Sequence, residues 1–467
     1  MTDPDVPRLY STLTRRNESL VPGPDGTIGI YVCGPTVYAP IHIGNARPFV
    51  VFMVLKRYLE RRGARVRLVS NLTDVNDKIF AAAAAAGVAS TEWAERMAAG
   101  YVEDTDRLGL GRPDAEPTVV ASMASIIALI ERLIESGAAY VADGDVYFRV
   151  RRFTRYGALS GQRIDEMHAS EDTGPKEDAL DFALWKARKA GEDAAWDSPW
   201  GPGRPGWHIE CSAMACDQLG CDFQVHGGGI DLVFPHHENE IAQTESSGCH
   251  RMAGIWVHNE MLEFAGDKMS KSLGNVTTLR EVLERWPQEV VIAFFLTSHY
   301  RSRLPFSEDR MAEAEAVCER FRNTIRSIDR AATGGSHDVA LSRATRMAQG
   351  LVFAALDDDF GTPGAFAAMF DLVRELNARL AAGPVDAAQL QEVRVRLVDL
   401  LDMFGLGGLA TPVDETPREV AERVAEREAA RAARDFGRAD VLRAEIEAMG
   451  FEVVDTAEGS SVYPRGD

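Results

Sequence analysis

Residues 27–33 (TIGIYVC) read as a short buried strand, and the Gly/Pro-rich stretch behind them reads as a turn. Over residues 45–62 the side chains Phe49, Phe52, Leu55 and Leu59 recur at helical spacing. Residues 66–72 (VRLVSNL) then read as a second strand. Strand, turn, helix and strand in that order predict the opening of a doubly wound parallel sheet. The turn leaves the carboxyl end of the first strand, which is where such folds bind ligands.

The chain has 467 residues, room for about three domains at roughly 150 residues each. A Rossmann-like catalytic domain is expected in two parts, 1–137 and 207–256, split by a module over 138–206. Inside that module YVADGDVYFRV reads as a hairpin, and polar Gly- and Pro-rich stretches run on to SPWGPGRPGW. CDFQVHGGGIDLV (221–233) resumes the strand–turn texture, with a helix expected around 236–246. A connecting region fills 257–307, and helices near 308–331, 339–357, 361–382 and 386–403 predict an α-helical bundle. Residues 404–467 read as a linker and a small α/β appendage: two helices, the second capped at Gly450, then FEVVDT and SSVY as a hairpin. Between Pro417 and Arg443 seven arginines face six acids, so this stretch is near neutral in a chain of net charge 51 − 71 = −20.

That net charge argues against a general nucleic-acid coat, but not against an RNA enzyme, because steering depends on local patches. No apolar run approaches the roughly 20 residues of a spanning helix; residues 80–89 come nearest and are mostly alanine. The opening MTDPDVPRLY is acidic and interrupted by proline, unlike a signal peptide. Six cysteines in no paired frame predict reduced thiols or metal ligands in a cytoplasmic protein.

PIHIGN (40–45) sits between the first strand and its helix, and no GxxxxGK[ST] cradle is present. Here His42 and Asn45 are placed to meet phosphate at a helix N-terminus, with Gly44 admitting adenine or ribose. The plain alternative is a turn with Asn45 as helix cap. In GDKMSKS (266–272), Lys268 and Lys271 are suited to clamp phosphates as point charges, the alternative being a solvated loop. Metal-ligand candidates are Cys33, the series Cys211, Cys216 and Cys221, and HHENE, in which Glu240 lies four residues from His236 and three from His237. No CxxC pair exists, so spacing leaves zinc ligands and buried thiols both open. HGGGID supplies a glycine turn including Gly228, with Asp231 able to bond ribose or an α-amino group and His226 either functional or a satisfied core histidine. Thr73 and Asp74 close the second strand, and Trp207 opens the WHIEC segment. As structural alternatives, Trp207 is core and Thr73 a cap.

HIG near the start together with KMSKS resembles the class I aminoacyl-tRNA synthetases, whose shared reaction is activation of an amino acid by ATP. YVCGPTVYAPIHIGNARP, NLTDVNDKI, SPWGPGRPGWHIECSAM and HGGGIDLVFPHHENEIAQ, in this order, narrow the resemblance to the cysteinyl-tRNA synthetases over nearly the whole chain. One departure is Asn45 where the family's fullest form reads HIGH; Asn still donates a neutral hydrogen bond, so tuned and not abolished ATP binding is expected.

The resemblance implies one Zn²⁺ on Cys33, Cys211, His236 and Glu240, with Cys216, Cys221, Cys249 and Cys318 as small buried apolar residues and Cys249-His250 as a plain loop. It implies Thr73, Trp207 and His226 around L-cysteine, and Gly34, His42, Gly44, Asn45, Gly228, Asp231, Lys268, Ser270 and Lys271 around ATP, which carries Mg²⁺. It also implies tRNA(Cys) as partner, an anticodon-binding tail, a monomer and no membrane. Zinc makes chemical sense, since a pocket gains only about 1–3 kcal/mol per small apolar group, whereas a thiolate is a far better zinc ligand than serine's hydroxyl. No editing domain is then needed. The sharpest rival is a ligase that passes activated cysteine to a sugar amine in mycothiol synthesis, and the Arg-rich tail argues against it.

Overall fold

A computed structural model describes residues 6–167, 174–264, 277–410, 418–456 and 459–464. The chain enters through an antiparallel ribbon, β1 (Arg8–Ser11) with β2 (Arg16–Ser19). β3 (Thr27–Val32) follows, buried at every residue but its first, the continuous burial expected of a strand covered on both faces. α1 (Ile43–Arg61) crosses over to β4 (Arg65–Ser70), two residues short of the predicted strand end. α2 (Asp77–Ala86), capped by the Asn76 side chain, leads through α3 (Ser90–Asp106) to α4 (Met123–Glu135).

β5 (Ala139–Ala142) and β6 (Asp145–Phe148) form the expected hairpin, turned by Asp143 (φ 52°) and Gly144 (φ 87°). With β7 (Phe182–Ala187) and β8 (Gly203–Pro205) they make a four-stranded antiparallel sheet. α5 (Trp207–Leu219), β9 (Phe223–Gly229), α6 (Glu238–Ser246) and β10 (Ala253–Asn259) return the chain to the parallel sheet, whose order is β10-β9-β3-β4. β4 and β9 flank β3 on opposite sides, so strand order reverses between β3 and β9 and opens a crevice at their carboxyl ends.

β11 (Leu262–Phe264) pairs in parallel with β12 (Leu304–Phe306), and α7 (Leu279–Arg285) and α8 (Gln288–Leu296) lie between them in sequence. The bundle is α9 (Glu308–Arg330), α10 (Val339–Asp357), α11 (Thr362–Ala381) and α12 (Ala387–Met403), close to the four predicted spans. The tail contains α13 (Arg418–Ala432), α14 (Phe436–Ala448) and an antiparallel hairpin of β13 (Phe451–Thr456) and β14 (Gly459–Pro464). It has its own small core at Val420, Ile446 and Val453.

The period-2 alternation of β3 divides the main core in two. Ile28, Ile30 and Val32 face a cluster that runs through Val54 of α1 and Val291 of α8 into Phe321 and Leu397 of the bundle. Tyr31 and Cys33 face a second cluster built with Ile126, Trp185, Ile209, Cys211 and Trp256. The same parity therefore aims the Cys33 thiol at α5 and α6.

One cysteine expectation needs correcting. Cys318 is buried and Cys216 half-buried, but Cys221 is exposed and paired with Cys249 in a disulfide. Cys221 precedes β9 and Cys249 precedes β10, and because these strands are parallel neighbours their entries lie side by side.

Candidate active site and metal centre

At the carboxyl ends of β3 and β9 lies a cavity of about 320 Å³. Cys33, Gly34, Trp207 and Asp231 line it, and residues 259–262 with Phe264 form another part of its wall. His42, Gly44 and Asn45 line it from the turn ahead of α1. This volume is in the range of sites for small molecules and cofactors.

Cys33, Cys211, His236 and Glu240 are all buried, and one donor atom of each lies within 4.8 Å of all the others. The Cys33 thiol donates to Glu240 Oε1 at 3.4 Å, and His236 Nε2 lies 3.1 Å from the same oxygen. A tetrahedral ion with bonds of about 2.0–2.3 Å has donor–donor edges of about 3.3–3.8 Å, so the set is spaced for such an ion. Burial, then the neighbouring Cys211 and Glu240, pushes the Cys33 thiol well above its usual range, while burial lowers His236 to about 3. Two thiols packed into a dry site thus keep their protons until a cation replaces them. Two thiols with an imidazole and a carboxylate suit a borderline-soft divalent metal, and the donor set fits the ion.

A second set of residues orients these donors. His226 Nε2 lies 2.9 Å from Glu240 Oε2, and its ring stacks on Trp256 at 4.3 Å. His208 Nδ1 and His236 Nδ1 are 3.0 Å apart, one donating to the other. His237 contacts His258, which in turn meets Thr12 Oγ1 at 2.7 Å. Beside Glu240 in α6, the buried Glu238 accepts Gly157 N–H at 2.9 Å and Ser160 N–H at 2.8 Å from the inserted module.

At the other end of the cavity, α1 begins at Ile43 with His42 as N-cap, so Asn45 is inside the first turn and exposed and does not cap it. A Cβ on Gly44 would lie 2.9 Å from His42 Nδ1; the glycine makes room for the imidazole, where the sequence suggested room for nucleotide. Gly34 is similarly forced, since a Cβ there would meet the Asn71 carbonyl oxygen at 1.7 Å. Ile43 N–H donates to Thr277 O and Leu279 N–H to Ile41 O, both at 3.0 Å, which ties the turn to the chain just past GDKMSKS. Lys268, Ser270 and Lys271 themselves lie outside the described residues.

Residues 19–316 match the family described as tRNA synthetases class I (C) catalytic domain, and residues 352–409 match the DALR domain. A cysteine–tRNA ligase of Caldicellulosiruptor saccharolyticus is 43% identical over 463 residues, 97% of this chain and 99% of its own. One from Chromohalobacter salexigens is 44% identical, covering 98% of this chain and 100% of its own. The chain belongs to the cysteine–tRNA ligase family. Among solved structures, Mycobacterium tuberculosis methionyl-tRNA synthetase in complex with methionyl-adenylate is similar in fold: TM-score 0.63, 15% identity, 82% of this chain and 90% of that one.

For a cysteine–tRNA ligase the residues expected around the amino acid divide in two. Trp207 borders the cavity and stacks on His236 at 4.2 Å. Thr73 and His226 are buried behind the lining: Thr73 Oγ1 donates to Glu210 Oε2 at 3.2 Å, and His226 holds Glu240. Asp74 caps the next turn by accepting Val119 N–H at 2.8 Å. Gly228 sits against the His237 ring, while Asp231, raised by burial, faces the cavity. The 259–264 wall, Tyr38 and Asn71 escaped the sequence reading. Asn71 lies in the quoted NLTD segment, and its side chain takes Gly34 N–H at 2.9 Å and lies 3.6 Å from the Cys211 sulfur. The wall carried no signal, since NEMLEF holds no chemistry of its own.

Proposed function

We propose that this cysteine–tRNA ligase family member activates L-cysteine with Mg-ATP and transfers the cysteinyl group to the terminal adenosine of tRNA(Cys). The observation that carries the reading is the buried Cys33–Cys211–His236–Glu240 cluster, which meets the cavity through Cys33. Bound there, Zn²⁺ supplies a Lewis acid that prefers the substrate's thiolate to serine's hydroxyl. The four donors would hold it, and His208 and His226 fix the orientation of His236 and Glu240.

In the first step the cysteine carboxylate attacks the α-phosphate, the bond to the β-phosphate breaks, and pyrophosphate leaves. No side-chain nucleophile is needed. Asp231 receives the α-amino group or ribose, and Trp207 closes the amino-acid end and excludes water. His42 and Asn45, at the positive end of α1, with Lys268 and Lys271, offset the charge that develops on the phosphates. In the second step a ribose hydroxyl of the tRNA attacks the activated carbonyl and AMP departs.

Beyond the catalytic halves (1–137 and 207–256) and the module between them, residues 257–307 are assigned to the stem contact. The bundle (308–403) and the appendage (404–467) are assigned to tRNA, the appendage reading the anticodon. The working state is a cytoplasmic monomer; among the described residues no helix is long and apolar enough to cross a membrane. The test is charging of total tRNA with labelled cysteine, serine serving as control. Selective cysteine charging is expected. Adenylate formation with no charging would instead point to a different acceptor, such as a sugar amine.

A further inference from the structure

Arg47 is fully buried in α1, two residues after Asn45, and makes no ion pair among the described residues. The two terminal nitrogens of its guanidinium donate to main-chain oxygens of two separate segments, while the buried Nε has no hydrogen-bond partner among the described residues. Nη1 donates to Glu260 O at 2.6 Å and Met261 O at 3.3 Å; Nη2 donates to His299 O at 3.1 Å and Ser302 O at 2.8 Å. Burial lowers its pKa to about 10, a sign of how dry the position is. A buried cation bonded to carbonyl dipoles, with the Glu260 carboxylate close enough to favour its charge but not paired with it, is a costly way to fill a core, and a hydrocarbon side chain would pack there at less cost. What a hydrocarbon cannot do is hold four carbonyls of two loops in one plane; the rigid guanidinium fork can.

The two segments matter for different reasons. Met261, Leu262 and Phe264 line the same cavity as His42 and Asn45, with Leu262 Cδ1 4.0 Å from where a Cβ on Gly44 would lie, and GDKMSKS begins two residues after Phe264. The 299–302 turn is clamped from the bundle. Asp359, at the corner between α10 and α11, accepts from Tyr300 Oη at 2.5 Å, Arg301 Nε at 2.7 Å and Tyr10 N–H at 2.8 Å. Its own carbonyl accepts His299 Nε2 at 3.0 Å. Asp359 and Phe360 both have left-handed backbones, φ 56° and 50°, which non-glycine residues hold only when surrounding contacts impose it. An unbroken chain of contacts therefore runs from the bundle corner through residues 299–302 and Arg47 to the cavity wall.

We propose that Arg47 is a positioning residue for adenylation, fixing the 260–264 wall against the start of α1, and that Asp359 secures the 299–302 turn on which that grip depends. Arg47 touches neither metal donors nor substrate. Its loss misplaces the nucleotide end of the cavity and leaves the cysteine end intact. The inference rests on the activation reading given above.

The experiment uses the full chain loaded with metal and measures cysteine-dependent ATP–pyrophosphate exchange for Arg47→Lys, Asp359→Asn and the double variant. Metal content and melting are followed in parallel. A lysine keeps the charge but cannot span four carbonyls. The expected result for Arg47→Lys is one metal per chain, a KM for cysteine within twofold of the parent, and kcat/KM for ATP lowered at least tenfold. Asp359→Asn should lower the same parameter about threefold, and the double variant should be no worse than Arg47→Lys, since both act through one turn. Folded Arg47→Lys with unchanged exchange overturns the proposal, and so do losses that multiply in the double variant. If Arg47→Lys does not fold, Asp359→Asn and Tyr300→Phe decide: a loss confined to ATP supports the proposal, and no loss or an equal loss for cysteine refutes it. A parent chain without cysteine-dependent exchange would sink the activation reading itself, whereas an active parent with indifferent variants sinks only the role of Arg47.

Discussion

Gly44→Ala should make the protein slower without making it less stable. The added Cβ would lie 2.9 Å from His42 Nδ1 and 3.0 Å from His42 Cε1, against ordinary contact beginning near 3.4 Å. The imidazole must therefore give by about 3.4 − 2.9 = 0.5 Å. Misplacement of a reacting group by about 1 Å can cost about 100-fold, so half that shift predicts a loss on the order of tenfold, equivalent to about 1.4 kcal/mol in the barrier. The backbone pulls the other way. Gly44 is a helical residue of α1, and alanine favours a helix over glycine by up to about 1 kcal/mol. The assay is cysteine-dependent ATP–pyrophosphate exchange with ATP and cysteine varied separately, alongside thermal melts. The expected pattern is a tenfold fall in kcat/KM for ATP, an unchanged KM for cysteine and a melting temperature no lower than the parent's. A variant with full exchange activity would show that the His42 ring position does not matter to the reaction. A variant that melts early would show that the clash is relieved by the backbone and not by the ring.

Cys211→Ser should lose stoichiometric metal, read by elemental analysis of the purified protein, because a neutral hydroxyl replaces a thiolate donor; a fully metallated variant would remove Cys211 from the site. Lys271→Ala should slow cysteine-dependent exchange about tenfold or more while metal content holds, and an unchanged rate would take the phosphate role from Lys271. His258 is lowered to about 3 by burial, against roughly 6.5 in the unfolded chain, so between those values the unfolded state binds a proton that the fold excludes. Its contribution is fully present above about 6.5 and drains away as pH falls toward 3, by up to about 1.4 kcal/mol per pH unit. Urea melts at pH 5, 6 and 7 should show a shallower dependence in His258→Gln than in the parent; equal slopes would exclude this histidine as a source.

The fold was legible wherever hydrophobic period and turn chemistry agreed. Residues 27–33 and 45–62 declared a crossover unit, and the four bundle helices emerged within a residue or two of their patterns. Parity along β3 even explains why Cys33 faces α5 while Val32 does not. The candidate metal donors come from three distant stretches of chain, so spacing alone left them open, and only long-motif resemblance grouped them. What stayed hidden was long-range and made by the main chain. Nothing in the one-dimensional string says that Arg47 will meet the carbonyls of residues 260, 261, 299 and 302, or that Cys221 and Cys249 begin adjacent strands. His226 illustrates the same limit: its residue type left a functional and a core role both open, and the fold places it against Glu240.

The hold of Glu238 on the Gly157 and Ser160 amides has a consequence for how such chains diversify. Glu238 stands two residues from Glu240 on one short helix, so the inserted module and a candidate metal donor share a common footing. A relative that shortened or exchanged the module would strand a buried carboxylate beside the candidate metal cluster, so a change in the module would reach that cluster without touching it. The two stretches, some 80 residues apart in sequence, are bound through one carboxylate, so a change in either is felt by the other.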